Sequence, residues 1–378
     1  MKIALIRKAF RLHGGAERFT SRFLQELQHQ GHAVHLFAHR WSLPSGTSCT
    51  LHPVPLLKGL SVLQVLSFAL ATAWLVRRET FDLVFSFERT LVQDVYRAGD
   101  GCHRQWLRQR RRYYPFLQVV GDRWNPLHRV ILAIERRLYA PDGTCQIIAN
   151  SYQVKEEIMR HYATPAGRIA VVYNGIDLET FHPRLRARWR EEGRQRYGIP
   201  EETLVLLFVG SGFQRKGLTY LLSALKRLEQ QVSCPLLLLV VGKGNPKPYQ
   251  RQVAQEGIRS PVLFPGVQAE IERYYALADL FVLPTLYDPF SNATLEAMAS
   301  GLPVITTAWN GAAEILGAWR ERLVVSEPAA TEVLAQKIID VLPEREAVGA
   351  ALRSLAEAYP LQACVEEMLR VASNTAGS

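Results

Sequence analysis

With 378 residues, 48% of them hydrophobic and 21% charged, the chain is too long for one ordinary core and too apolar for a disordered one. At about 100 to 200 residues per domain, two domains are expected. A formal net charge of +10 and a pI near 9.5 imply an anionic partner, which composition leaves open between nucleic acid, an acidic lipid surface and a phosphorylated substrate. The five cysteines (Cys49, Cys102, Cys145, Cys234, Cys364) are odd in number and form no CxxC pair, so they indicate neither a disulfide framework nor a zinc site, and a reducing cytoplasm fits them.

The first stretch, MKIALIRKAF, has an apolar core of only four residues, too short for an export signal. IALI (3–6) has the pattern of a buried strand. A loop with Gly14 and Gly15, an amphipathic helix over about 16–30 closed by Gly31, and a second strand, AVHLFAH (33–39), follow. This order is that of a nucleotide-binding Rossmann-like unit. Paired glycines let a ligand approach the backbone, and the helix amides behind them favour phosphate. The GxGxxG spacing is absent, which counts against an NAD enzyme. The run LSVLQVLSFALATAWLV (60–76) holds 17 uncharged residues, at the short limit of the roughly 17 to 25 that span a bilayer. With Ser61, Gln64, Ser67 and Thr72 inside it, it reads as a core helix between sheet layers, and no transmembrane segment is expected.

Further strands are expected at FDLVFSF (81–87), QIIANS (146–151) and IAVVYN (169–174). Between the first two lies an arginine and aromatic segment spanning 98–124. Arg104, Arg108, Arg110, Arg111 and Arg112 have no acid among them and are mixed with Trp106, Tyr113, Tyr114, Phe116 and Trp124. This mixture suits an anionic membrane surface, where each basic residue adds about 1 kcal/mol and aromatic rings settle among the headgroups. Stacking on single-stranded nucleic acid would use the same residue types, and a solvated helix face that binds nothing is the plain alternative. Just before it, Asp100 and His103 in GDGCH occupy a glycine loop of the kind where catalytic groups gather, suited to orienting an acceptor hydroxyl or managing its proton.

The charged stretch RLRARWREEGRQRYGIP (184–200) reads as linker and lead-in helix to a second domain. TLVLLFVGS (203–211) is a buried strand, and the loop GFQRKG (212–217) puts Arg215 and Lys216 at the start of the next helix. Cations there oppose the helix dipole, a conflict that an anionic ligand such as a diphosphate resolves, with Arg as a planar fork and Lys as a point charge. LLLLVVGKG (236–244), VLFPG (262–266), LFVLPT (280–285) and PVITT (303–307) repeat the pattern, giving a second doubly wound domain. Terminal helices are expected near 331–342 and 345–371. YDPFSNATLEAMASGLPVIT (287–306) joins two of these strands through a loop and a helix that Ser291 and Asn292 can cap. Its two carboxylates are Asp288 and Glu296. An acid near a helix start suits the dipole by about 0.3 to 1 kcal/mol with no ligand at all. At the carboxyl end of a strand, Glu296 is also placed to accept two hydrogen bonds from a vicinal diol such as a ribose.

GGAER (14–18), DGCHRQW (100–106), NGID (174–177), GFQRKG and the 287–306 stretch, in this order, resemble the retaining glycosyltransferases of the GT-B class, in particular the bacterial lipopolysaccharide core glucosyltransferase group within family 4. The likeness runs over nearly the whole chain. It implies an α/β fold of two Rossmann-like doubly wound domains facing each other across a cleft: an acceptor domain over 1–180, against which a helix at about 361–378 packs back, and a nucleotide-sugar donor domain over 181–360. It also implies that Glu296 holds the donor ribose, that Arg215 and Lys216 clamp the diphosphate, and that Asp288 lies by the transferred sugar. Asp288 departs from the usual glutamate, and its shorter side chain leaves that contact open. Gly14, Gly15, Gly212, Phe290, Ser291 and Asn292 would surround the donor, with Gly266 and Val267 by its base. Asp100, His103, Arg215, Lys216 and Asp288 form the expected catalytic set.

The implied reaction moves a hexose, glucose from UDP-glucose first, to a lipopolysaccharide inner-core heptose with retention, a donor phosphate oxygen taking the acceptor proton. No metal or cofactor is expected. The expected partners are the nucleotide sugar, a lipid-anchored phosphorylated saccharide and the anionic inner-membrane surface, with no nucleic acid. The protein is expected in the cytoplasm, docked on that surface through the arginine segment. The alternatives are another GT-B enzyme acting on a nucleotide sugar, either a transferase for a different glycolipid or polysaccharide or a sugar epimerase, and a basic binding protein without enzymatic activity.

Overall fold

The computed structural model of the chain describes residues 1–10, 15–41 and 49–376, so Gly14 lies outside the described residues. The chain divides into two compact units, Met1–Gly175 with Leu361–Ser378, and Ile176–Pro360.

Unit 1 is built on a seven-stranded sheet of β1 (Lys2–Ile6), β2 (Ala33–Ala38), β3 (Thr50–Pro53), β4 (Leu83–Ser86), β5 (Val95–Ala98), β6 (Gln146–Ala149) and β7 (Ile169–Val171), all parallel, in the order β3-β2-β1-β4-β5-β6-β7. Near-continuous apolar runs such as IALI produce parallel strands because both faces are covered. Ile3 and Leu5 face Phe23, Leu24 and Leu27 of α1 (Gly15–His29), together with Val365, Met368 and Ala372 of the C-terminal helix Leu361–Ala376. That helix is fastened by polar contacts too: Gln362 accepts from Arg22 and donates to Glu26, and the Cys364 thiol donates to the Tyr173 carbonyl at 2.8 Å. Ala4, Ile6, Phe37 and Val84 line the opposite face against Phe68 and Val76 of α2 (Ser61–Val76).

Helix α2 is where the sequence expectation of a core helix has to be corrected. Phe68, Ala69, Thr72, Ala73 and Val76 are buried, but Leu60, Leu63, Leu66, Leu70 and Trp74 are between 40 and 70% exposed. A helix lying on one sheet buries one stripe, and although α2 also packs on α5 (Pro126–Leu138), its outer side stays largely exposed, with the Arg78 guanidinium stacked over Trp74. Among the described residues no helix is long and apolar enough to cross a membrane. Between β5 and β6 the chain also forms α3 (His103–Tyr113) and α4 (Phe116–Val119), and α6 (Tyr152–Tyr162) follows β6.

Unit 2 opens with α7 (Leu185–Tyr197), and the charge that made this stretch read as a linker has a structural purpose. Arg186, Arg190 and Arg194, spaced one helical turn apart, reach the buried Asp279 carboxylate at 2.9, 2.8 and 3.4 Å, and Asp279 also accepts from the Val205 amide. The unit's sheet is parallel, with β8 (Leu204–Val209), β9 (Leu236–Val241), β10 (Val262–Gly266), β11 (Leu280–Leu283), β12 (Val304–Thr307) and β13 (Val324–Val325) in the order β10-β9-β8-β11-β12-β13. The order reverses between β8 and β11, and the loops leaving the carboxyl ends of those two strands meet there, the place where such sheets bind ligands.

Candidate functional site

The loop after β8 turns through Gly217 (φ +80°) into α8 (Leu218–Gln231), and α9 (Lys247–Glu256) follows β9. A Cβ on Gly217 would stand 1.9 Å from the Pro284 carbonyl, so only glycine lets this loop lie against the end of β11. That contact sets two cations beside the β11 loop. Arg215 donates Nη1 to the Tyr287 carbonyl at 2.8 Å, and its own carbonyl accepts from the Leu286 amide and the Thr285 hydroxyl. The Lys216 ammonium donates to Asp288 Oδ2. Lys216 is 8% and Asp288 5% exposed, so this is a buried ion pair. Burial lowers the Lys216 pKa, and the Asp288 carboxylate opposes that shift. The anion that relieves two cations at a helix start is therefore supplied partly from within, by Asp288.

Helix α11 (Asn292–Ala299) starts at the cap Ser291, whose hydroxyl accepts from the Thr294 amide. Glu296 falls past the first turn and is 8% exposed. The Tyr275 hydroxyl of α10 (Glu272–Leu277) donates to its Oε2 at 2.8 Å. Burial and the Glu296 charge push the Tyr275 phenol well above its ordinary pKa, so it stays a donor. Phe290 and Ser291 are buried beside α11. Gly212 and Gly266 both have positive φ, and Val267 is exposed at the end of β10.

In unit 1, Asp100 and His103 flank the turn from β5 into α3. The Asp100 carboxylate is 77% exposed, 3.5 Å from Arg89 Nη1. His103 is tied down: its amide donates to Glu135 Oε1 at 2.8 Å, and its Nε2 lies 3.1 Å from His128 Nδ1. His128 Nε2 stands 3.6 Å from Asp122. Burial, then the nearby Arg89 cation, push the His103 pKa down to about 3, so at neutral pH it is an uncharged hydrogen-bonding group.

Residues 13–180 match the model of Glycosyltransferase Family 4, and residues 190–354 that of Glycosyl transferases group 1. Over 360 residues, 94% of each chain, the sequence is 27% identical to the lipopolysaccharide glucosyltransferase WaaG of Escherichia coli strain K12. The crystal structure of WaaG aligns with a TM-score of 0.83 at 25% identity, covering 98% of this chain and 99% of that one. The chain belongs to the family 4 glycosyltransferases, with the GT-B fold of two parallel-sheet α/β domains. A D-inositol 3-phosphate glycosyltransferase of Streptomyces bingchenggensis is 32% identical over 202 residues, 50% of this chain and 43% of the relative. Anabaena HepE, solved with UDP and glucose, shares the fold at a TM-score of 0.71 and 19% identity, covering 99% of both chains.

In this glycosyltransferase, Arg215, Lys216, Asp288 and Glu296 lie within one unit, and Lys216 and Asp288 touch. Asp100 and His103 belong to the other unit. Three groups escaped the sequence reading. Tyr275 holds Glu296, but in sequence it is one of two adjacent tyrosines in a short polar helix. Asn310 is 1% exposed: its Oδ1 accepts from the Ser291 and Ala312 amides and its Nδ2 donates to the Thr294 and Thr306 hydroxyls, which fixes the start of α11. Glu135, fully buried, accepts from the His103 amide, Arg89 Nε and the Tyr162 hydroxyl, while Arg89 also donates to the Gly101 carbonyl. The only available sequence signal was a lone acid on the apolar side of an amphipathic helix.

The arginine segment also sorts by structure. Arg110 is not free for a surface: it reaches the buried Asp122 at 3.3 Å, donates to the Gln118 carbonyl and lies over the Tyr114 ring. Arg104 donates to the His161 carbonyl, and Trp106 is half-buried. Arg108, Arg111 and Arg112 are exposed, and so are Phe116, Leu117, Val120 and Trp124 just beyond them.

Proposed function

We propose that this glycosyltransferase moves a hexose, with glucose from UDP-glucose as the first candidate, to an inner-core heptose of lipopolysaccharide at the cytoplasmic face of the inner membrane, with retention and without a metal ion. The observation that carries the proposal is the Arg215, Lys216, Asp288 and Glu296 constellation of unit 2, in a chain alignable with WaaG over 94% of its length. A nucleoside diphosphate needs a diol acceptor, phosphate donors and a place for its sugar. Glu296, oriented by Tyr275, accepts from the ribose hydroxyls. Arg215 and Lys216 receive the diphosphate, and Asp288 lies beside Lys216 at the sugar end.

Breaking the glycosidic bond builds negative charge on the leaving diphosphate. Donors fixed in a dry site stabilise that charge without reorganising, an effect of about 3 to 4 kcal/mol for one such donor. Lys216 is already desolvated and neutralised by Asp288, so the diphosphate adds an anion to a cation whose dehydration cost is met by the fold. A donor phosphate oxygen takes the proton of the attacking hydroxyl, and Asp100 with neutral His103 orients the acceptor. Arg108, Arg111 and Arg112, with the exposed rings and aliphatic groups of α4 and α2, support docking on an anionic leaflet that carries the lipid-anchored acceptor.

The test is incubation with a panel of UDP- and ADP-sugars and heptose-terminated core lipopolysaccharide, read by mass spectrometry. One added hexose from UDP-glucose is expected, with kcat/KM lowered about tenfold to a hundredfold by Glu296→Gln, the loss of hydrogen bonds to a charged acceptor. Conversion of the nucleotide sugar without acceptor would favour an epimerase instead. The 32% identity to an inositol phosphate glycosyltransferase makes a phosphorylated cyclitol the control acceptor.

A further inference from the structure

On the α2 side of the unit 1 sheet, three side chains that take no part in the proposed transfer bring ligand atoms together. His35 and His52 stand on the neighbouring strands β2 and β3. The register pairs His35 with Thr50 and Phe37 with His52, so the two histidines are diagonal neighbours on one face. His52 stacks on Phe37, ring centroids 4.4 Å apart and planes at 10°, and Phe81 meets His35 and Phe37 edge-on at 5.2 and 5.7 Å. This aromatic box sets His35 Nδ1 2.8 Å from His52 Nε2. Glu79, in the turn between α2 and β4, brings Oε2 to 3.8 Å from His35 Nδ1. One ligand atom from each of the three lies within 4.8 Å of the other two, a grouping found once among the described residues.

We propose that His35, His52 and Glu79 bind a borderline divalent transition-metal ion, zinc first, which staples the edge strand β3, its neighbour β2 and the α2–β4 turn. Two imidazole nitrogens and a carboxylate oxygen are a ligand set for zinc, with water in a fourth position. Bonds of about 2.0 to 2.1 Å in a tetrahedron separate ligand atoms by roughly 3.3 Å. The nitrogen pair at 2.8 Å must open by about half an ångström and the carboxylate at 3.8 Å close by as much, movements within reach of a turn residue whose side chain is 38% exposed.

At 2.8 Å one ring donates its N–H to the other. The ion takes the place of that shared proton, which moves to the far nitrogen of its own ring, so each imidazole stays neutral with one N–H and no proton is released. The opposing group is Lys2, whose ammonium donates to Glu79 Oε2 at 3.0 Å. Lys2 is 39% exposed in its side chain and can turn out to water, but while in place it competes for the carboxylate.

The proposal does not rest on the transfer reaction. The full chain, stripped with chelator, is titrated with zinc by calorimetry and with cobalt by absorption, alongside thermal melts. One saturable equivalent, a tetrahedral cobalt spectrum and a melting point raised by several degrees are expected. His52→Gln should weaken the affinity at least tenfold and abolish the thermal shift, whereas Lys2→Met should tighten binding. Wild-type protein without a saturable site would overturn the proposal, as would variants of His52 and Glu79 that bind zinc like the wild type, the ion then sitting on other histidines or cysteines. Should His52→Gln fail to fold, Glu79→Gln, at an exposed turn, carries the same comparison.

Discussion

Lys216 answers to two demands at once. It neutralises Asp288 in a buried pair and, in the proposed function, is the cation that meets the leaving diphosphate. Removing one partner of a buried pair leaves the other uncompensated, a loss of about 3 to 5 kcal/mol. Lys216→Met is therefore expected to cost both stability and kcat, the latter by about a hundredfold to a thousandfold. Lys216→Met with Asp288→Asn should recover most of the stability and none of the rate, as denaturation and steady-state kinetics would reveal; a double variant as unstable as the single one would mean that the pair is not what burial penalises. His103 predicts a pH effect. With a folded pKa near 3 against about 6.5 unfolded, the unfolded chain binds the extra proton between these values, so stability falls as pH drops below about 6.5 and this contribution stops changing near 3. The slope is about 1.4 kcal/mol per pH unit. His103→Gln should remove that part of the acid sensitivity in urea midpoints measured between pH 4 and 6.5.

At the scale of elements, the site depends on how the loops after β8 and β11 and the start of α11 are pinned. Asn310, just beyond β12, makes four hydrogen bonds that fix the α11 start from outside it. Asn310→Ala strands buried amides and hydroxyls, and a destabilisation of at least about 1 to 3 kcal/mol is expected in chemical denaturation, with a higher KM for the nucleotide sugar because the helix start proposed to receive it loosens. An unchanged KM would mean that α11 holds its position without this hub. Helix α7 teaches a related lesson about composition. A stretch dense in arginine reads as linker and lead-in helix with no buried role for its charge, yet Arg186, Arg190 and Arg194 converge on one buried aspartate 85 to 93 residues away in sequence.

For the whole molecule, the charge of +10 is partly internal, since Arg110, Arg186, Arg190 and Arg194 are committed to buried acids. Exposed on unit 1 are Arg108, Arg111 and Arg112 beside Phe116, Leu117 and Trp124, and the outer stripe of α2. Vesicle sedimentation should show salt-sensitive binding to anionic vesicles, weakened about tenfold or more by replacing these three arginines with serine, at about 1 kcal/mol each. Leu117→Ser with Trp124→Ser should weaken binding to anionic and neutral vesicles alike. Equal binding by the arginine variant would remove the leaflet from the functional reading.

The sequence by itself determined most of the strand and helix succession, missing the short strands Thr50–Pro53, Val95–Ala98 and Val324–Val325, and it marked Arg215, Lys216, Asp288 and Glu296 as candidate site residues, because long strand runs, glycine loops and helix starts are local patterns with local causes. Only the tertiary structure decided which partners those groups have: that Asp288 neutralises Lys216, that Tyr275 orients Glu296, that Glu135 anchors the His103 turn, and that α2 has a largely exposed outer side. Each of these depends on residues that become neighbours through sheet order and packing. Burial then sets which charges are spent inside the fold and which remain for a ligand, and that balance has no local signature in the chain.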